Sequence, residues 1–205
     1  MPVPAWFHNL LVRELRPWVA LTDEQITKLH QHYELLERWN KRINLTSVAS
    51  GEEMVVRHYC ESLFFAAQLS NGSDSLVDIG SGAGFPGFPI AIAKPLWNVT
   101  LVESNQRKAV FLREATRGMP NLTVTASRAE DISGTFDWAV SRAVNLEEIV
   151  RLAPCLGQRI GLMLGEEDFP AVQTAKRIAW SEPIRLPWGD RRICVVGVSR
   201  GTIGA

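Results

Sequence analysis

Residues 76–89 read LVDIGSGAGFPGFP: an apolar stub, three glycines spaced two apart, then two prolines. A backbone stripped so bare lets a ligand come close, and its chemistry depends on the residues around the glycines. A nicotinamide or flavin fingerprint is G-x-G-x-x-G. Here Gly80, Gly82 and Gly84 give G-x-G-x-G, and Phe85 stands where the third dinucleotide glycine would be. That glycine normally lets the helix pack close to the strand, so a phenylalanine is expected to obstruct the approach. One residue before Gly80 intervenes after Asp78. A carboxylate pointing into the loop repels a pyrophosphate and suits a ligand bearing ammonium and sulfonium charge. The loop is therefore better matched to S-adenosylmethionine than to NAD.

Three further elements lie at the ends of later apolar runs. Glu103 ends LVES, about twenty residues past the glycines, where an acid accepts hydrogen bonds from ribose hydroxyls of either cofactor. SRAEDI (127–132) follows the next run, and the backbone at Ala129 and Glu130 is expected beside an adenine. VSRAV (140–144) carries Arg142, which suits a cofactor group, a phosphate or a substrate base, or else a structural ion pair.

The surrounding chain divides in two. Thr22-Asp23-Glu24-Gln25 is a capping box, and Ile26, Leu29, Tyr33, Leu36 and Ile43 follow at three- and four-residue steps. Another helix is expected from about Glu52 to Leu69, and the polar run 70–74 is a plausible boundary. After Ser75 short apolar runs (76–79, 99–104, 122–126, 136–141, 160–164) alternate with amphipathic segments such as NQRKAVFLREATRG, and RRICVVGVSR adds a last strand. Such alternation implies an α/β fold: a mostly parallel, twisted sheet with helices on both faces. The expected division is a helical N-terminal extension, 1–72, packing on a ligand-binding core, 73–205. In such a sheet ligands sit beyond the carboxyl ends of the strands, where strand order reverses.

Composition narrows the class. At 205 residues the chain is long enough for one sizeable core. No run approaches the roughly 18 apolar residues of a membrane span, and the N-terminus lacks a signal-peptide layout, so a cytoplasmic protein without a membrane partner is expected. Cys60, Cys155 and Cys194 are far apart and read as small buried hydrophobes. The four histidines form no ligand pair, so no metal is expected, and His30 and His32 point to different faces of a helix and read as surface residues. Net charge is zero, which argues against loose electrostatic wrapping of nucleic acid but leaves room for local basic clusters.

Taken together, RWNKRINLTS (38–47), RHYCESL (57–63), VDIGSGAGFPGFPIAIAKP (77–95), LVESNQRKAVFL (101–112), SRAED (127–131) and SRA (141–143) resemble the bacterial small-subunit rRNA guanine-N7 methyltransferase family (RsmG, also called GidB). The resemblance covers most of the chain and implies a Rossmann-like class I methyltransferase. Its donor would be S-adenosylmethionine, and its acceptor N7 of one guanosine in 16S rRNA of the small ribosomal subunit. Carried over by position, Gly80, Phe85, Ala129, Glu130 and Arg142 would contact the cofactor. Asp78, Gly82, Gly84 and Glu103 join them from the reading of the residues. Two departures stand out. Glu61 replaces a more usual aspartate, and Leu164 stands where family members often have a lysine, a charge that Arg200 is expected to supply instead.

Guanine N7 already holds an in-plane lone pair, so attack on a sulfonium methyl needs placement more than proton transfer, and no general base is expected. Phe85 and Trp138 are candidate stacking platforms for the charge that develops on the base, with core packing the alternative for Trp138. The edge carrying N7 is hidden in A-form RNA, so the target is expected in an accessible loop. Candidate substrate contacts are Arg38, Asn44, Thr46, Arg57, His58, Ser141 and Arg142. Lys41 and Arg42 beside Trp39, and Arg107, Lys108, Arg113 and Arg117 on a later helix, are further RNA candidates or else solvated helix faces. Other readings stay open: a class I methyltransferase with another acceptor, a nucleotide-dependent oxidoreductase, and a non-catalytic ribosome-assembly factor that keeps the fold.

Overall fold

A computed structural model describes residues 2–48, 51–70, 72, 74–142, 145–189 and 191–200. Helix α1 (Ala5–Leu15) turns Phe7, Leu10, Leu11 and Leu15 inward. Helix α2 (Asp23–Asn40) starts at the expected capping box: Thr22 Oγ1 accepts the Gln25 amide proton and Gln25 Oε1 accepts that of Thr22. The helix expected over 52–69 is interrupted. A short α3 (Gly51–Met54) runs into six residues of wider π-helical winding (Val55–Cys60) before α4 (Glu61–Gln68). Such windings inside α-helices are frequent at functional sites, and this one carries Arg57 and His58.

The sheet has eight strands, β1 (Ser75–Ile79), β2 (Asn98–Val102), β3 (Leu122–Thr125), β4 (Phe136–Arg142), β5 (Gly157–Gly165), β6 (Ile178–Trp180), β7 (Ile184–Arg185) and β8 (Arg192–Ser199). Their order is 3-2-1-4-5-8-6, with β7 beside β8. The first five are parallel and β8 runs antiparallel to β5, β6 and β7. Strand order reverses between β1 and β4, so the glycine turn leaves β1 at the switch point. Alternate residues serve opposite faces. Leu76, Trp138, Val140 and Met163 join a core with α1, α2, α4, α5 (Gly87–Ala93) and α6 (Gln106–Ala115). Val77, Ala139, Ile160 and Leu162 join a second core with α7 (Leu146–Leu156) and Val172 of α8 (Phe169–Gln173).

Several expectations change here. His30 and His32 do point to different faces of α2, yet both are buried, because α2 is covered on both sides. His30 lies against Phe7 of α1, ring centroids 4.9 Å apart, and His32 lies 4.1 Å from Phe88 of α5. Cys155 is exposed rather than buried, while Cys60 and Cys194 are buried. Trp138 is a core residue near the amino end of its strand, its Nε1 donating to Asp74 at 3.2 Å. It is no stacking platform, since ligands of this sheet sit at the opposite strand ends. The boundary expected at 70–74 includes Asn71 and Ser73, which lie outside the described residues.

The close approach of helix to strand is also made differently from expectation. Phe85 turns away from β1 toward Tyr59, and Gly87 opens α5 in its place. A Cβ at Gly87 would meet Leu101 Cδ2 and lie 2.7 Å from Asp78 Oδ2. Asp78 is fully buried, and its Oδ2 accepts the Gly87 amide proton at 2.9 Å. Burial pushes its carboxyl up from 3.8 to about 7, against the pull of that hydrogen bond. The folded chain therefore holds this proton through a range where the unfolded chain has lost it, and stability falls as pH rises from about 4 to about 7. Asp78→Asn keeps an acceptor for Gly87 and removes the charge. Denaturant melts should show the variant at least as stable as the parent at pH 8, with the parent's advantage confined to acid.

Candidate active site

The turn after β1 is held from below. The Gly80 and Ser81 amides donate to Val102 O at 2.9 and 3.0 Å, and the Gly84 amide donates to Ser81 O at 2.7 Å. Gly80, Gly82 and Gly84 have φ of +72°, +58° and +92°, a region that residues with a Cβ enter only with strain. Glu103, just past β2, reaches across. Its Oε2 accepts the Gly82 amide proton at 2.9 Å and its Oε1 that of Asn105 at 2.7 Å. An ionised carboxylate has about four lone-pair sites, so accepting two amides leaves capacity for hydroxyls.

Over this turn lies a cleft of about 580 Å³. It brings together Gly80, Gly82, Phe85, Ser141 and Arg142 from the sheet ends with Thr46, Arg57 and His58 from the N-terminal helices. Asp78 and Gly84 sit behind the turn instead. The expectation that the Asp78 carboxylate faces the ligand is corrected by its complete burial. Gly84 backs onto Phe88, Leu112 and His32. Ala129 is buried beside the next strand end, and the Glu130 side chain is exposed, 3.5 Å from Arg151. Neither lines the cleft, and neither do Arg38 and Asn44, both exposed. Ala143 and Val144 of the VSRAV motif lie outside the described residues.

The cleft wall holds an ion cluster. Glu61 is fully buried, its Oε2 at 3.5 Å from Arg142 and 2.9 Å from Arg192. Burial pushes the Glu61 carboxyl up against the pull of both guanidiniums, and burial lowers Arg142 to about 10, so Arg142 keeps its charge at neutral pH. One carboxylate between two guanidiniums leaves the cluster net positive, and Arg142 Nη1 is buried without a hydrogen-bond partner. Arg192 carried no signal in the sequence. It reaches the cleft because antiparallel β8 sets Arg192 opposite Gly165. The same register leaves Arg200 at the far end of β5, opposite Gly157, so the cation brought near Leu164 is Arg192 and not Arg200.

His58 stacks on Phe85, centroids 4.7 Å and planes 20° apart, and its Nε2 lies 2.7 Å from Thr46 Oγ1. One face of Phe85 is therefore taken by an imidazole. Burial, reinforced by Arg142, Arg192 and Arg57, lowers His58 to about 3, which leaves it neutral across the physiological range. Among the described residues lining the cleft, Arg57, Lys108, Arg142 and Arg192 face a single acid, Asp168, with Arg57 paired behind the lining to Glu53 at 3.1 Å and Arg142 and Arg192 sharing Glu61. The cleft therefore attracts anions. Among the described residues no group of three or more His, Cys, Asp or Glu side chains could hold a metal, and no helix is long and apolar enough to cross a membrane.

Among solved structures the fold is similar to a methyltransferase from Pyrococcus furiosus (TM-score 0.61, 14% identity, 85% of this chain and 99% of that one). It is also similar to magnesium protoporphyrin IX methyltransferase from Synechocystis, solved with bound S-adenosylmethionine (TM-score 0.58, 13% identity, 88% and 98%). In sequence it is 44% identical over 144 residues to ribosomal RNA small subunit methyltransferase G of Nitrosomonas europaea, covering 68% of this chain and 66% of the relative. It is 38% identical over 181 residues to the protein of the same name from Stenotrophomonas maltophilia, covering 82% and 84%. Residues 25–167 match the family described as GidB, rRNA small subunit methyltransferase G, and to that family the chain belongs.

Proposed function

We propose that this protein transfers the methyl group of S-adenosylmethionine to N7 of a guanosine in 16S rRNA of the small ribosomal subunit. The observation that carries the reading is the meeting, in one cleft, of a left-handed glycine turn at the switch point with a wall of cations. The turn suits a nucleoside cofactor, and the cations suit a polyanionic acceptor. A small neutral acceptor would have no use for Arg57, Lys108, Arg142 and Arg192 together.

The residues present fit the cofactor. Gly82 has open space around its missing Cβ, with Gly80 O the nearest atom at 3.9 Å, so the bare turn leaves room for a nucleoside rather than for a neighbouring side chain. Glu103 sits beneath it with capacity for ribose hydroxyls, and the unpartnered Arg142 Nη1 suits a carboxylate. When bound, S-adenosylmethionine supplies a methyl group on a positively charged sulfur. The chain's own part is placement. Gly80, Gly82, Phe85 and Arg142 hold the donor side within the cleft, Ala129 and Glu130 extend it past the end of β3 outside the cleft lining, and Thr46, Arg57, His58 and Ser141 face the acceptor.

No residue needs to take a proton from N7, and the cleft offers no paired acid and base. His58 is neutral and oriented by Thr46, so it presents an uncharged ring that does not repel the cation developing on the guanine. We further read 1–72 as an extension that folds as one unit with 73–205, since α1, α2 and α4 share a core with the sheet. The N-terminal helices then serve to close the acceptor side of the cleft.

Three outcomes are expected. Labelled S-adenosylmethionine incubated with small subunits lacking the modification should place label on N7 of one 16S guanosine. Label on protein, on a small molecule or on another base would point to the other acceptor readings, and RNA binding without turnover to an assembly factor. Gly82→Asp should fold, because the site has room and the left-handed φ costs only about 1–2 kcal/mol, yet calorimetry should find no cofactor binding. Finally, kcat/KM should show no limb from His58, so that parent and His58→Gln share one pH profile between about pH 6 and 8; an acidic limb lost in His58→Gln would assign the imidazole a proton-transfer role.

A further inference from the structure

Outside the cleft, one surface feature is left unexplained by the chemistry. Where the end of α2 meets α6, Trp39, Arg42, Ile43, Arg107 and Val110 line a slot of about 270 Å³. Its apolar wall is open to solvent: Val110 is 48% exposed between Arg107 and Arg113. Trp39 is held in place, its Nε1 donating to Glu114 at 3.2 Å and its ring edge-on to Phe111 at 5.9 Å. Arg38, Arg42, Arg107, Lys108, Arg113 and Arg117 have no ion-pair partner among the described residues. Elsewhere the picture is mixed: Arg151, Arg159 and Arg185 are paired, while Arg16, Arg128 and Arg177 have no ion pair among the described residues. Arg42 and Arg107 line the slot itself, and the other four lie on α2 and α6 or just past the end of α6.

The slot adjoins the cleft through shared segments. Ile43 lines the slot and Leu45 and Thr46 line the cleft; Arg107 lines the slot and Lys108 the cleft. The linking loop is fixed, since Asn40 Oδ1 accepts the Leu45 and Thr46 amide protons, both at 2.9 Å, and Asn40 Nδ2 donates to Thr46 O at 3.0 Å. The two sites are thus joined along both the 43–46 segment and the start of α6.

We propose that this slot is a second base subsite for single-stranded RNA. A non-reacting nucleobase near the target stacks between Trp39, Ile43 and Val110, and Arg42 and Arg107 hold its flanking phosphates. Fixed aromatic faces beside guanidiniums are how proteins hold unpaired bases without reading sequence. Trp39 is already ordered by Glu114, so its side-chain freedom is not lost again on binding. The inference rests on the rRNA reading given above but names a surface separate from the methyl-transfer cleft.

The test uses the full chain and a single-stranded oligoribonucleotide of about a dozen nucleotides, with the same sugar–phosphate chain lacking bases as its control. The parent should bind the base-free chain about tenfold more weakly. Val110→Glu, at an exposed position, should abolish that difference. Arg42→Gln with Arg107→Gln should reduce the slope of log affinity against log salt by about 1.4, two single-strand phosphate contacts. Both variants should raise KM for small subunits severalfold while kcat and cofactor affinity stay within about twofold. Equal binding of both chains by the parent, or an unaltered difference in Val110→Glu, would overturn the proposal. So would displacement of the oligonucleotide from the slot by an acidic peptide at equal affinity, which would give the slot a protein partner. Absence of methyl transfer by the parent would defeat the enzymatic reading alone, because the oligonucleotide measurements decide the slot without it.

Discussion

Two buried carboxylates under one glycine turn govern this structure. Asp78 accepts the amide proton of Gly87 and so draws α5 against the sheet, and Glu103 accepts the amide proton of Gly82 and so ties the turn to the neighbouring strand. With both bonds in place the turn can carry three left-handed glycines and still be held at one spacing from the strand ends. Phe85 is then free to point outward, where it meets His58 and Tyr59 and connects the turn to the N-terminal helices. The cleft is the space left between these two halves.

Charge in this protein is a matter of distribution. The chain is neutral as a whole, yet the cleft wall is positive and the face beyond it carries unpaired arginines. Glu61 makes the arrangement tolerable. A buried carboxylate between Arg142 and Arg192 offsets enough repulsion to keep two guanidiniums side by side, while leaving the cluster net positive. The imidazole of His58 cannot join them as a cation, because burial and those same guanidiniums both oppose its protonation. The cleft lining is thus net positive and its imidazole stays neutral near neutral pH, which suits a reaction whose nucleophile arrives with its lone pair free.

Features encoded between near neighbours were legible from the chain alone. The capping box at Thr22, the five parallel strands, the glycine turn at the switch point and the family motifs all depend on residue types a few positions apart. Features that depend on what packs against an element were not. The periodicity of α2 correctly separated His30 from His32, but only the presence of α1 on one side and α5 on the other buries both. The motif D-I-G-S-G-A-G placed Asp78 beside the turn, but only the fit of Gly87 against Leu101 shows that its carboxylate looks inward. Nothing local in RHYCESL marks the π-helical winding that carries Arg57 and His58, and a strand read as RRICVVGVSR does not say which end meets the cleft.

The sequence by itself therefore determined the α/β architecture, the place of the glycine turn at the switch point and membership of an rRNA methyltransferase family, because periodicity and short motifs are set by residues adjacent along the backbone. Only the tertiary structure decided which charges face the cleft. Antiparallel pairing brought in Arg192 and took Arg200 away, burial withdrew Asp78, and the junction of α2 with α6 made a slot of residues drawn from two distant segments. Orientation and burial are properties of partners far apart in the chain, and a linear reading carries no register between them.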